Sequence, residues 1–174
     1  MLKTKRLFIL PCNIGILDAA IQGDTFLAAK LNCQVEENWT GFGIAPLQFV
    51  RQRLSENEDE HLWWTYFIIH EQDNRLIGCG GYKGKPDDNG AVEIGYEIAP
   101  SYRNRGLATE FSIALIENAF LNLGVNKIIA HTLGQPNAST NVLLKCGFLK
   151  TEEIEDPEEG PIWKWELNKK QTGQ

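Results

Sequence analysis

The spacing of hydrophobic positions changes period once between Ala91 and Phe120, and that change marks the central unit of the chain. Val92, Ile94, Tyr96 and Ile98 alternate with Glu93, Gly95, Glu97 and Ala99, the period of a strand. Pro100 ends the strand because it cannot donate to a ladder. Beyond Gly106, Leu107, Phe111, Ala114 and Leu115 fall on one helical stripe that runs to Leu123, and Gly124 stands where a left-handed terminal residue is needed. The same two periods predict a first strand over Arg6 to Pro11 and one or two short helices over Ile14 to Leu31, interrupted near Gly23-Asp24. A loop follows over Gln34 to Pro46, then a helix over Pro46 to Ser55. The apolar run Trp63 to Ile69 reads as a buried strand that forms a hairpin with Leu76 to Tyr82. After the central unit come a buried strand over Lys127 to Thr132, a helix within Gln135 to Cys146, and a final hairpin of Phe148 to Ile154 with Pro161 to Leu167. The order predicts a mixed α/β domain over residues 1–168 with a right-handed crossover at its centre and a disordered tail over 169–174.

Between the central strand and its helix, Arg103-Asn104-Arg105-Gly106-Leu107-Ala108 sets two guanidiniums and a glycine at a helix start. A helix N-terminus carries unpaired N–H groups and the positive end of the macrodipole, so it attracts anions. Glycine allows close approach to the backbone, and arginine forks suit phosphate oxygens. The turn therefore reads as a phosphate or pyrophosphate cradle, against the plainer reading of a charged surface turn. No G-x-x-x-x-G-K-[ST] loop occurs. Gly78-Cys79-Gly80-Gly81-Tyr82-Lys83 begins like a dinucleotide fingerprint but ends in lysine inside a strand, so it reads as a strand with close backbone neighbours.

Composition narrows the partners. Seventeen basic against 23 acidic residues give a net charge of −6, which offers no general basic field to nucleic acid and mildly favours a cationic acceptor. No run approaches the roughly 20 apolar residues of a membrane span. The opening MLKTKRLFIL has charge before apolar residues but stops at Pro11 without a cleavage pattern, as a first strand would. Cys12, Cys33, Cys79 and Cys146 are widely spaced, without a C-x-x-C pair or clustered histidines. They read as structural thiols of a reducing cytoplasm, and no metal site is indicated.

Arg103-x-x-Gly106-x-Ala108, set between a strand and a helix, resembles the R/Q-x-x-G-x-G/A signature of the GNAT superfamily of N-acetyltransferases. The surrounding EIGYEIAPSYRNRGLATE is similar to its RimJ/RimL-like branch, and the resemblance runs from LKTKRLFILP to KCGF. It implies a single-domain GNAT fold, with a mixed sheet of about seven strands splayed between its fourth and fifth. It also implies acetyl-CoA as cosubstrate. Arg103, Asn104, Arg105, Gly106, Leu107, Ala108 and Thr109 would hold the pyrophosphate, and the backbone of Ile98 and Ala99 would lie beside the pantetheine. The segment from Asn137 to Phe148 is similar to the second CoA-contacting segment, which implicates Asn137, Ser139, Asn141 and Lys145. Asn137 sits one residue closer to Ser139 than the family pattern has it. Asn137 or Ser139 is equally an ordinary helix cap.

Glu93 aligns with the glutamate that several of these enzymes use, directly or through water, to deprotonate the amine. A buried carboxylate there would have a raised pKa. Glu97, four residues on, is a second carboxylate on the same face. Many relatives place a tyrosine in the second segment to protonate the thiolate, and here that place holds Leu143. The resemblance implies direct attack of a primary amine in a ternary complex, the amine belonging to a protein N-terminus or a small molecule. The protein would be a monomer or homodimer. A different class is a catalytically weak acetyl-CoA-binding module that senses the cofactor or supports a partner.

Overall fold

The computed structural model describes residues 1–122 and 124–170. Among them the chain forms strands β1 (Leu2–Lys3) and β2 (Leu7–Pro11), helices α1 (Ile14–Gln22) and α2 (Asp24–Leu31), strand β3 (Gln34–Val35) and helix α3 (Ala45–Glu56). Strands β4 (Thr65–His70), β5 (Arg75–Tyr82) and β6 (Ala91–Ile98) lead to helix α4 (Leu107–Leu121). Strand β7 (Lys127–Leu133), helix α5 (Ala138–Lys145) and the hairpin β8 (Leu149–Asp156) and β9 (Gly160–Asn168) complete it. The sheet order is β1-β2-β4-β5-β6-β7-β9-β8, with β3 lying parallel against β5.

This is one mixed nine-stranded sheet rather than about seven. The two additional strands are two residues each, too short to leave a period-2 signal. Trp63 and Trp64 precede β4 instead of belonging to it, because Glu58–Trp63 winds into a 3₁₀ helix. Trp63 leans on Tyr82 at 5.2 Å between ring centroids, and Phe49 meets Trp64 edge-on. Helix α4 ends at Leu121, with Asn122 in extended backbone, whereas the expected extension to residue 123 lies outside the described residues. The Asn122 side chain, not a glycine at the helix end, organises the exit by accepting the Gly124 N–H at 2.8 Å. Of the tail, residues 171–174 lie outside the described residues, and the Lys169 N–H donates to Asn126 C=O at 2.8 Å.

Alternation splits the core in two. On one face Tyr66, Ile68, Ile77, Ile94 and Ile98 pack against Phe111, Leu115 and Ala119 of α4. On the other, Phe67, Ile69, Leu76 and Cys79 pack beneath Leu17, Leu27, Leu47, Val50 and Leu54 of the three N-terminal helices. Those helices cover β2, β4 and β5, while the strands beyond β6 carry charged residues on that face. Among the described residues no helix is long and apolar enough to cross a membrane. The four cysteines are free; three are buried and Cys146 is half-buried.

Two features of the sheet position the site. First, β6 pairs antiparallel with β5 through Ile98 (opposite Gly78), but it pairs parallel with β7 only at Ala91, Val92 and Glu93. Beyond Glu93 the two strands separate, which is the splay expected between the fourth and fifth strands. Second, the Ala99 N–H donates to Ile77 C=O and the Lys83 N–H to Glu93 C=O. Antiparallel pairing alternates, so the backbone groups of Tyr96 and Ile98 point away from β5, into the gap.

Candidate functional site

The turn before α4 is shaped by its backbone. Asn104 (φ 60°) and Gly106 (φ 75°) both take left-handed conformations, and Gly106 leads directly into Leu107. No side chain caps this helix, whereas α1 and α5 each begin under an asparagine that accepts a first-turn N–H. The free first-turn donors of α4, in Leu107, Ala108 and Thr109, therefore face outward beside Arg103, Asn104 and Arg105, all exposed. The arginines also hold the turn itself: Arg103 Nε donates to Ile98 C=O at 2.9 Å, and Arg105 Nη2 donates to Ser101 C=O at 2.8 Å. Arg105 further stacks over Tyr102 at 4.9 Å.

Arg6, which no local pattern marked, fastens this turn to the N-terminal strands. It donates to Arg105 C=O at 2.9 Å and to both carboxylate oxygens of Glu110 through its N–H and Nε, at 2.9 and 2.7 Å. Thr4 donates to the same carboxylate at 2.6 Å. Burial pushes Glu110 up, but the Thr4 and Arg6 hydrogen bonds outweigh it and hold the carboxyl below the usual glutamate range. Stability from a depressed carboxyl is present above its unfolded pKa and lost as pH falls through its folded one. The gap in urea midpoint between wild type and Glu110→Gln should be full at pH 7 and shrink below the ordinary value of 4.5. A gap unchanged down to pH 3 would rule out this assignment.

Beside the gap, the structure separates the residues expected at the cofactor. Ala99 is fully buried with its N–H committed to Ile77, so it offers no donor to a ligand. The Ile98 carbonyl is occupied by Arg103, which leaves its N–H on the gap side. Asn137 caps α5: its Oδ1 accepts the Thr140 N–H at 3.0 Å, its Nδ2 donates to Gln135 C=O, and its own N–H donates to Thr140 Oγ1. That reciprocal box commits the side chain to the helix, the structural half of the sequence signal. Ser139 is half-buried and its carbonyl accepts the Tyr96 hydroxyl at 3.4 Å, while Asn141 and Lys145 are exposed. Leu143 is 1% exposed in the core, so the family's tyrosine position supplies no acid here. Burial raises the Tyr96 hydroxyl well above its ordinary pKa.

The two carboxylates differ. Glu93 lies at the foot of the gap and accepts from Lys83 Nζ and, at 3.0 Å, from His131 Nδ1. Burial pushes it up, but these two partners outweigh burial and leave it below the usual glutamate range, not above it as a lone buried carboxylate would be. Its neighbours come from other strands, which the sequence reading did not bring together. Glu97 lines a cleft of about 550 Å³ with Thr40, Phe42, Phe49, Trp64 and Lys83. It accepts from Thr40 Oγ1 at 2.7 Å, from the Gly41 N–H at 2.6 Å and from Cys79 Sγ at 3.2 Å. The cleft floor at Gly95 and Glu97 is the far side of the strand whose edge borders the gap. A larger depression of about 670 Å³ lies between α4 and Met1–Thr4; it shares Gly106 and Thr109 with the turn and none of the carboxylates at the gap or in the cleft. Among the described residues no cluster of His, Cys, Asp and Glu could hold a metal.

Comparison with known proteins agrees with this geometry. The acetyltransferase (GNAT) domain family matches residues 29–149, more than half of the chain. Uncharacterized N-acetyltransferase YjdG of Bacillus subtilis (strain 168) is 27% identical over 150 residues, covering 86% of this chain and 89% of that protein. Two solved structures share the fold. RimL, a ribosomal L7/L12 alpha-N-protein acetyltransferase in complex with coenzyme A, aligns with TM-score 0.70 and 15% identity over 95% of each chain. A dodecameric spermidine N-acetyltransferase from Vibrio cholerae aligns with TM-score 0.67 and 15% identity, also over 95% of each chain. The chain belongs to the GNAT family of acetyl-CoA-dependent acetyltransferases.

Proposed function

We propose that this protein transfers the acetyl group of acetyl-CoA to the primary amine of a cationic acceptor, by direct attack in a ternary complex. One observation carries the reading: a single strand, β6, borders the gap on its edge and the cleft that holds Glu97 on its face. The gap ends at the uncapped start of α4, so the turn from Arg103 to Thr109 holds the pyrophosphate. The pantetheine lies along the free backbone groups of Tyr96 and Ile98 as an added half-strand. A free backbone N–H farther along this edge would also donate to the thioester carbonyl and to the oxyanion that forms from it. Asn141 and Lys145, exposed on α5 across the gap, and the half-buried Ser139 complete the cofactor's surroundings.

The acceptor enters from the cleft. Glu97 accepts three hydrogen bonds there, and a carboxylate has about four lone-pair positions, so it retains capacity for an ammonium. Phe42, Phe49 and Trp64 enclose the alkyl part of a substrate. A protein N-terminus and a polyamine both present that chemistry. Glu93, where gap and cleft converge, belongs to the proton-handling corner of the site. The four free thiols suit a reducing compartment such as the cytoplasm.

The test begins with thermal shift in acetyl-CoA, CoA and ATP, where both CoA forms should raise the midpoint and ATP should not. Acetyl transfer to spermidine and to a peptide with a free N-terminus follows. Glu97→Gln should raise KM for the acetylated amine by about 10- to 100-fold, the worth of a charged hydrogen bond, with the acetyl-CoA shift unchanged. Equal KM in both proteins would remove Glu97 from the acceptor site.

A further inference from the structure

We infer that His131 takes the proton from the acceptor's ammonium, and that Glu93 is the positioning residue that fixes its tautomer. This rests on the acetyl-transfer reading and names the proton acceptor within it. His131 is on β7, two residues past Ile129, the last residue paired with β6. It therefore stands on the wall of the gap just where the strands separate, and its side chain is 28% exposed. Its Nδ1 lies 3.0 Å from Glu93 Oε1. Among the described residues no protein group hydrogen-bonds its Nε2.

A carboxylate can only accept, so the contact holds the hydrogen on Nδ1 and leaves the Nε2 lone pair free. Histidine is the side chain whose charge change ordinarily falls near neutral pH, as a general base requires. Glu93 is poorly suited to that task itself. Lys83 and His131 already occupy the same carboxylate oxygen, and both favour the anion. Lys83 lines the cleft, so Lys83, Glu93 and His131 form a continuous chain from cleft to gap.

The other charges facing His131 are already paired. Lys164 on β9 is its cross-strand partner and is bound to Glu152 and Glu166, while Lys127 on β7 is bound to Glu166. The imidazole thus meets one anionic partner, Glu93, which it shares with Lys83. In the step, R–NH3⁺ gives a proton to Nε2 and the amine lone pair forms the C–N bond at the thioester carbonyl. Collapse breaks the C–S bond, the nitrogen's surplus proton goes to the departing thiolate, and the imidazolium returns its proton to solvent.

Two measurements test this. In the free protein, long-range ¹H–¹⁵N correlation should show His131 with its hydrogen on Nδ1, and Glu93→Gln should redistribute it. A hydrogen on Nε2 in the wild type overturns the inference. In turnover, His131→Ala should lower kcat/KM for spermidine by about 10²- to 10³-fold and remove the ascending limb of its pH profile. With hydroxylamine, unprotonated at neutral pH, the loss should stay within about tenfold. Imidazole should restore part of the spermidine rate, and Glu93→Gln should shift the limb. Equal losses with both acceptors, or an unchanged limb, overturn the base assignment. Failure of acetyl-CoA to stabilise the wild type is a different result: it overturns the acetyltransferase reading and the proton step together, while the tautomer result still reports the Glu93–His131 geometry.

Discussion

Gly81→Ala is expected to destabilise the fold by about 4 kcal/mol, close to the upper end for a single substitution. Gly81 sits in β5 at φ 146°, where L side chains are strained, at a cost of about 1–3 kcal/mol. A Cβ there would also overlap the Trp64 carbonyl oxygen and come within 3.0 Å of its carbon and 3.2 Å of Thr65 Cα. These are backbone atoms at the entry to the neighbouring strand β4, and the same oxygen accepts the Tyr82 N–H at 3.0 Å. Nothing flexible can yield, so overpacking adds about 1–3 kcal/mol more. For a chain of this size the sum corresponds to roughly 10 °C in midpoint. Gly95→Ala is the control, since its Cβ would meet only Lys83 Cε, at 4.0 Å. Urea unfolding of both variants decides it: a Gly81→Ala midpoint matching that of Gly95→Ala would contradict the close approach.

That close approach was legible in the sequence, because a glycine-rich stretch inside a strand argues for crowded backbones more readily than for a dinucleotide site. Gly80 confirms it: its Cβ would lie 2.6 Å from both Gly95 C=O and Phe111. The break between α1 and α2 at Gly23 was readable for a similar local reason, as was the switch from strand to helix across Gly106. Elements whose signal is not local were missed. Strands β1 and β3 exist only because β2 and β5 offer a free edge, and two residues carry no period. In Trp63-Trp64 a continuous apolar run could not show where the strand begins, and the aromatic contacts to Tyr82 and Phe49 set that boundary.

The site divides in the same way. The turn from Arg103 to Thr109 is contiguous, so its residue types and order sufficed to suggest an anion site. Glu93 was readable as a carboxylate on the correct strand, but not as an ion pair, because Lys83 and His131 reach it from other elements. Burial alone would have raised its pKa, and those partners reverse the sign. Arg6 and Glu110 meet across 104 positions of sequence, and Glu97 meets Thr40 across 57. Asn137 showed the converse limit, since one residue type serves equally as helix cap and ligand contact until the Thr140 box is seen.

Gly106→Val should weaken acetyl-CoA binding by about 100-fold while leaving the protein folded. Gly106 adopts φ 75°, ψ 7° immediately before the first helical residue, so the N–H groups of Leu107 and Ala108 point the way they do because this residue is left-handed. A β-branched residue resists that conformation, and the turn would move toward ordinary backbone at the expense of those donors. Losing one or two charge-assisted bonds to phosphate, each about 1.5–3 kcal/mol, accounts for the expected factor. The stability cost is smaller, because Gly106 is exposed and a Cβ would meet only Arg6 Nη2, at 3.7 Å. At acetyl-CoA equal to 100 times the wild-type Kd, the ligand adds about 2.7 kcal/mol to wild type and about 0.4 to the variant. The wild-type midpoint should therefore rise by roughly 5–10 °C and the variant's by about 1 °C. Equal rises would mean that the cosubstrate does not lie on the start of α4, and the uncapped helix would then need another explanation.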